Sequence, residues 1–221
     1  MSLQSQRTEL SLNFHYDVYV PAVSEASALL VCLHGYSQDK ASSLKFGRSI
    51  GANLPIAALQ APHQHFRANL QSVGFGWVSP FEPEEGVRNH HLFVQRVIDK
   101  AYKDAVIAQP QAVLFGFSQS VSLNYRFARA HPDYLRGIIA VAGAAPSDWQ
   151  DESEPKSDIP VLHIATLEDE AYPVERSRGF RDVLESHFSN LTYIEEPGAH
   201  RVPAAAYPRM LAWLQENGLT R

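Results

Sequence analysis

The feature that most constrains this chain is a series of short, unbroken apolar runs. Residues 28–33 read ALLVCL, 55–60 PIAALQ, 112–115 AVLF, 137–142 GIIAVA, 160–165 PVLHIA and 191–195 LTYIE. Runs this short, without polar alternation, mark strands covered on both faces, which is the condition of a parallel sheet. Most are separated by stretches with helical spacing, expected at about 40–50, 87–102, 118–131, 174–187 and 204–217. In the second of these, Phe93, Val94, Val97, Ile98 and Ala101 fall on one side of a helix. Strands alternating with helices call for an α/β fold with a mostly parallel central sheet and helices on both faces. The expected exception is residues 10–20, LSLNFHYDVYV, which alternate like a half-exposed strand and stop at Pro21. Their short connection to the next run makes this first strand antiparallel.

With 221 residues, the chain is expected to form one domain, 1–221, with a sizeable core. The net charge of -5 and the lack of a Lys/Arg cluster exclude a basic field for nucleic acid or anionic lipid. No apolar stretch approaches bilayer-spanning length, and the opening MSLQSQRTELSLNFHYDV lacks the apolar run of a signal peptide. The single cysteine, Cys32, rules out an internal disulfide framework. A cytoplasmic location without stable membrane insertion is therefore the expectation. Oligomeric state is not legible, and a homodimer is left open.

One segment breaks the pattern. From Pro62 to about Gly86 periodicity fails, and PHQHFRANLQSVGFGWVSPFEPEEG reads as a long loop lining or covering a site. Its Phe75, Trp77 and Phe81 argue against disorder.

Ligands of such sheets bind beyond the carboxyl ends of the strands. His34–Asp39 follow one apolar run, Ser118 follows QAVLFGF, Asp169 follows the 160–165 run, and His200 follows the last. Strand, sharp turn with a serine at its apex, then helix is the context of a nucleophile elbow. The order nucleophile, acid, histidine is the order of a hydrolase triad. Each role answers a physical need. A serine hydroxyl is a weak nucleophile until a base, here His200, removes its proton. The imidazole must be held in one tautomer by a carboxylate, with Asp169 the candidate and Glu168 and Glu170 its rivals. The oxyanion needs fixed donors, and the backbone N–H groups of Gln119 and Tyr36 are placed to supply them.

Several motifs resemble one family. LHGYSQD (Leu33–Asp39) is similar to an L-H-G-L-G-D loop, and QAP with GFGW (Gln60–Pro62, Gly74–Trp77) to a P-x-A-P…G…W stretch. GFSQS (Gly116–Ser120) resembles G-F-S-Q-G. DEAYP (Asp169–Pro173) and GAH (Gly198–His200) resemble D-x-V-V-P and G-x-G-H ends. The chain thus resembles the phospholipase/carboxylesterase branch of the α/β-hydrolases, which includes the acyl-protein thioesterases. The resemblance implies a serine hydrolase acting on a small-molecule or acyl ester or thioester substrate, with no metal or cofactor. Three departures stand out. Ser120 replaces a glycine, ATLED replaces an H-G-x-x-D approach to the acid, and Tyr36 puts a phenol near the pocket mouth.

Plainer readings stand beside these. Ser118 could cap a helix, and His200 could be a loop histidine. His34 is read as structural, bonding within its loop. Tyr36, Phe75 and Trp77 are candidate pocket residues, the last two equally readable as core. His63/His65 and His90/His91 lack companion Cys or acidic residues, so no metal site is expected. Cys32, mid-strand, reads as a core residue. The competing functions are a non-hydrolytic ligand-binding protein on this fold, with Ser120 and Tyr36 distorting the site, or a lyase or acyltransferase.

Overall fold

The structure is a computed structural model that describes residues 8, 11–22, 28–149 and 155–220. Seven strands form the main sheet: β1 (Tyr16–Tyr19), β2 (Leu29–Leu33), β3 (Ile56–Leu59), β6 (Ala112–Phe117), β7 (Leu135–Val141), β8 (Val161–Thr166) and β9 (Leu191–Glu196). Their order across the sheet is β1-β3-β2-β6-β7-β8-β9. Only the β1–β3 pairing is antiparallel, with Tyr16 opposite Leu59 and Tyr19 opposite Ile56. All other pairings are parallel.

The unbroken apolar runs are explained by cover on both faces. In β2, Leu29, Val31 and Leu33 enter one core, while Leu30 and Cys32 enter the other. The first core is closed by α2 (Pro83–Lys103), α3 (Gln119–Ala130) and α4 (Val174–His187), through residues such as Phe93, Val97, Phe127 and Leu184. The second is closed by α1 (Lys40–Ile50) and α5 (Ala206–Glu216), through Ile50, Met210, Trp213 and Leu214. Local signals fix the ends of α1. The Asp39 side chain accepts from the Ser42 N–H, and Gly51 closes the helix at φ 75°.

The segment read as a 62–86 loop is more ordered than its pattern suggests. It contains an antiparallel hairpin, β4 (His63–Phe66) with β5 (Val73–Gly76), and α2 begins at Pro83 rather than near Val87. The hairpin strands are short and mostly exposed on β4, so no apolar alternation announces them. Pro83 occupies the first helical turn, where its missing N–H costs nothing. Two strand boundaries also shift. The first strand is confined to Tyr16–Tyr19, with Leu10 outside the described residues, and β7 starts at Leu135. No helix among the described residues is long and apolar enough to cross a membrane.

The sheet order has one consequence for chemistry. The chain runs outward from β2 to β3, then returns to place β6 on the other side of β2. Loops leaving β2 and β6 therefore diverge and open a crevice between their carboxyl ends. The 34–38 segment and Ser118 meet there.

Candidate active site

The turn after β6 holds Ser118 at φ 55°, ψ -116°, a conformation that non-glycine residues rarely adopt. Its N–H donates to the Val141 carbonyl at the end of β7 (3.0 Å), and its carbonyl accepts from Val121 (3.1 Å). Strand and helix thus grip the residue from both sides and sustain the strain. Although Ser118 occupies the N-cap position of α3, its side chain makes no capping bond. The hydroxyl turns instead to His200, 2.9 Å from Nε2.

His200 Nδ1 lies 2.9 Å from Asp169 Oδ2. An ionised carboxylate can only accept, so Nδ1 carries the proton and Nε2 presents its lone pair to the serine hydroxyl. Asp169 is itself fixed by donors. Oδ2 also accepts from Thr166 Oγ1 (2.8 Å), while Oδ1 accepts from the N–H groups of Ala171 (2.9 Å) and Tyr172 (2.8 Å). Burial pushes this carboxyl upward, but the bonds from His200, Tyr172 and Thr166 outweigh it and hold it below its ordinary value. The rivals lie elsewhere. Among the described residues, Glu170 accepts only from the His200 backbone N–H at 3.3 Å, and the exposed Glu168 meets this region through its backbone, donating to the Gly198 carbonyl.

The 34–38 segment is built to stay put. Nδ1 of buried His34 sits 2.7 Å from the Gly35 carbonyl and must donate, leaving Nε2 to accept from the Ala61 N–H at 3.1 Å. Burial lowers its basicity and keeps it neutral. The Gly35 N–H donates to Gln38 Oε1, and Ser37, at φ 65°, donates to the Phe75 carbonyl. The 34–38 segment is thereby stitched to β5. Among the described residues, neither the Tyr36 nor the Gln119 N–H has an acceptor. The Gln119 side chain acts separately from its backbone. Its Oε1 accepts the Trp77 N–H at 2.8 Å and ties the hairpin to the elbow.

The candidate pocket residues divide. Tyr36 is 59% exposed and stacks flat on His65, ring centroids 4.5 Å apart. Trp77 is 1% exposed, and its indole N–H donates to the His34 carbonyl (2.8 Å). It is a core residue behind the 34–38 segment, not a pocket wall, because its only polar side-chain atom is consumed there. Half-buried Phe75 packs against the same core. A cavity of ≈ 320 Å³ beside α2, lined by Phe14, Tyr16, Phe93 and Arg96 among others, includes none of these site residues.

Ser120 departs from the glycine of the elbow pattern without disturbing it. Fully buried, its hydroxyl accepts from the Phe117 N–H and lies 3.1 Å from both the Leu33 and Phe117 carbonyls. The first glycine of the elbow is the demanding one, since a Cβ on Gly116 would stand 2.7 Å from Asn124 Nδ2. Cys32 is buried against Gly47 of α1, and burial pushes its thiol well up. Among the described residues, no cluster of three or more His, Cys, Asp or Glu side chains could hold a metal. Sequence reading missed Thr166, the Gln119 side chain and Tyr172. The only signal for them was their place at the ends of β6 and β8.

Known proteins share both this fold and stretches of this sequence. A model of the phospholipase/carboxylesterase family matches residues 15–216. The esterase GA18864 of Drosophila pseudoobscura pseudoobscura is 30% identical over 204 residues, covering 80% of this chain and 66% of that protein. NocK of Nocardia uniformis subsp. tsuyamanensis is 30% identical over 153 residues, covering 68% of this chain and 42% of that protein. The chain therefore spans less than two thirds of the length of these two relatives. The structure of Zea mays acyl-protein thioesterase 2 aligns at a TM-score of 0.73 and 19% identity, over 92% of this chain and 98% of that one. That likeness concerns the fold alone. The family match, running from β1 to the end of α5, is what decides: the chain belongs to the phospholipase/carboxylesterase family of α/β-hydrolases.

Proposed function

We propose that the protein is a serine hydrolase that cleaves carboxylic esters or thioesters through an acyl-enzyme, with Ser118 as nucleophile, His200 as base and Asp169 as its orienting carboxylate. The observation that carries this is the unbroken relay from Ser118 Oγ to His200 Nε2 and from Nδ1 to Asp169 Oδ2, each link 2.9 Å. In acylation, Ser118 Oγ bonds to the carbonyl carbon of the substrate and its proton passes to His200 Nε2. The resulting imidazolium is stabilised by the Asp169 carboxylate. The N–H groups of Tyr36 and Gln119 receive the oxyanion. Collapse breaks the bond to the leaving group, which takes the proton from His200. Water then attacks the acyl carbon, its proton moving to His200, and as the acyl carbon–Ser118 Oγ bond breaks that proton passes to Ser118 Oγ and the acid leaves.

Two observations favour turnover over a merely ligand-binding role. The Ser120 hydroxyl is absorbed into the elbow, and the Tyr36 ring is held against His65. The name of the Drosophila relative, an esterase, agrees with the reaction class.

The test is a fluorophosphonate probe followed by peptide mapping, together with hydrolysis of a chain-length series of activated esters and thioesters. Covalent labelling of Ser118, and loss of both labelling and turnover in Ser118→Ala, is the expected result. A folded wild-type protein that neither labels nor hydrolyses any member of the series overturns the reading.

A further inference from the structure

Ser37 holds a conformation that serine rarely adopts, and the β4–β5 hairpin grips it there. Residues 35–38 form a tight turn, closed by the Gln38 N–H on the Gly35 carbonyl (3.2 Å), with Ser37 third at φ 65°. Glycine or asparagine ordinarily fills that place. In the L-H-G-L-G-D pattern that this loop resembles, Ser37 stands at the second glycine. Three contacts from the hairpin converge on the residue. Arg67 Nε donates to the Ser37 carbonyl (3.0 Å), the Phe75 carbonyl accepts the Ser37 N–H (2.8 Å), and His65 Nε2 lies 3.3 Å from the Ser37 hydroxyl. A Cβ on Gly74, the cross-strand partner of His65, would stand 2.8 Å from Ser37 Cα, so the backbones also pack closely.

Arg67 is itself well placed. Its N–H donates to the Ser72 carbonyl (2.9 Å), and its carbonyl accepts from the Leu70 N–H (2.8 Å). Asn69 Oδ1 accepts from the N–H groups of Gln71 and Ser72 and fixes the loop between the strands. Of the three hydrogen-bonding contacts on Ser37, the one from Arg67 is strengthened by a permanent charge.

The turn in its turn aims an amide. The Gly35 carbonyl accepts from His34 Nδ1 and from the Gln38 N–H, so the trans peptide sends the Tyr36 N–H the opposite way, out of the turn. If Ser37 relaxed to a negative φ, the Tyr36–Ser37 peptide would turn over. The Ser37 N–H would then leave the Phe75 carbonyl, and the turn would come away from the hairpin.

We propose that Arg67 is a positioning residue, which by holding the Ser37 carbonyl keeps Ser37 left-handed and the Tyr36 N–H aimed at the oxyanion. This inference rests on the hydrolase reading above. Arg67 acts through Ser37 and Tyr36, not on the reacting atoms. Glycine takes a positive φ without strain, so Ser37→Gly removes most of the need for the bond.

The experiment measures Arg67→Ala in two backgrounds, wild type and Ser37→Gly, as a double-mutant cycle. One readout is kcat/KM on an activated straight-chain ester. The other is the affinity of an alkyl trifluoromethyl ketone against that of the corresponding secondary alcohol. Ser118 Oγ bonds to the carbonyl carbon of the ketone, its proton passes to His200, and the ketone oxygen becomes the oxyanion. The alcohol forms no such bond. In the wild-type background, Arg67→Ala should lower kcat/KM and ketone affinity each by roughly tenfold, with alcohol affinity within about twofold. In the Ser37→Gly background the same substitution should cost less than about threefold. Equal losses in both backgrounds, no loss in either, or a parallel loss of ketone and alcohol affinity overturn the inference, while fluorophosphonate labelling of Ser118 in wild type stands. Failure of wild type to label at Ser118 overturns the hydrolase reading and this inference with it.

Discussion

The Ser120 hydroxyl lies 3.1 Å from the Leu33 carbonyl, joining the turn after β6 to the end of β2 across 87 residues of sequence. A glycine here would permit the same approach of helix to strand but would leave the Phe117 N–H without its present acceptor. Ser120→Ala should therefore cost about 1–3 kcal/mol, the penalty for a buried donor left unpaired. Urea unfolding gives the check, and a midpoint equal to that of wild type would show that the bond contributes nothing.

Gly35 is the tightest point of the 34–38 segment. A Cβ there would stand 2.7 Å from the Phe117 ring and 3.2 Å from Ser118 Cβ, and the Phe117 ring packs on His200 at 5.0 Å. Gly35→Ala should shift serine and base together, lowering kcat/KM by roughly tenfold or more, with about 1–3 kcal/mol of overpacking strain. Steady-state kinetics on any hydrolysed ester, beside a thermal melt, separates the two effects. Full activity would mean that the 34–38 segment yields without moving the nucleophile.

Asp169→Asn keeps the shape of the acid and removes its charge. His200 Nδ1 is then no longer compelled to carry the proton, and Nε2 loses its standing as base. The expected fall in kcat at neutral pH is roughly 10³–10⁴-fold. A fall of less than tenfold would transfer the orienting role to another carboxylate.

Acid should destabilise the fold through histidines that the proposed chemistry does not use. Burial lowers His90 to about 3, and buried His163 to about 4. In the unfolded chain such groups titrate near ~6.5, so below that pH the unfolded state binds protons that the folded state refuses. Stability contributed by their neutral forms is present above pH ~6.5 and lost as pH falls toward the folded values. Asp169, held low in the fold, acts in the same direction. At pH 5 each of the two histidines should cost about 2 kcal/mol, lowering the melting temperature by roughly ten degrees from its value near pH ~7.5. Scanning calorimetry across this range would show it, and a profile that stays flat down to pH ~5 would refute it.

Much of the molecule was legible because its signals are local. Continuous apolar runs report burial on both faces wherever they occur. Asp39 before α1, Gly51 after it and Pro132 after α3 act within a turn of their own position. Short motifs at strand ends single out Ser118, Asp169 and His200 as candidates one by one. The hairpin within 62–86 was not legible, because β4 is largely exposed and is held by pairing with β5 and by the bridge from Gln38 to Phe75. Trp77 could not be assigned from sequence either, since its burial depends on the His34 carbonyl, 43 residues away.

Periodicity and the functional groups fixed in the chain suffice for the layered α/β architecture and for the residue types that could do chemistry. It took the folded arrangement to bring Asp169 rather than Glu168 or Glu170 to His200 and to let Ser120 complete the elbow. Those outcomes rest on distances of about 3 Å between residues tens of positions apart, set by the order in which strands enter the sheet.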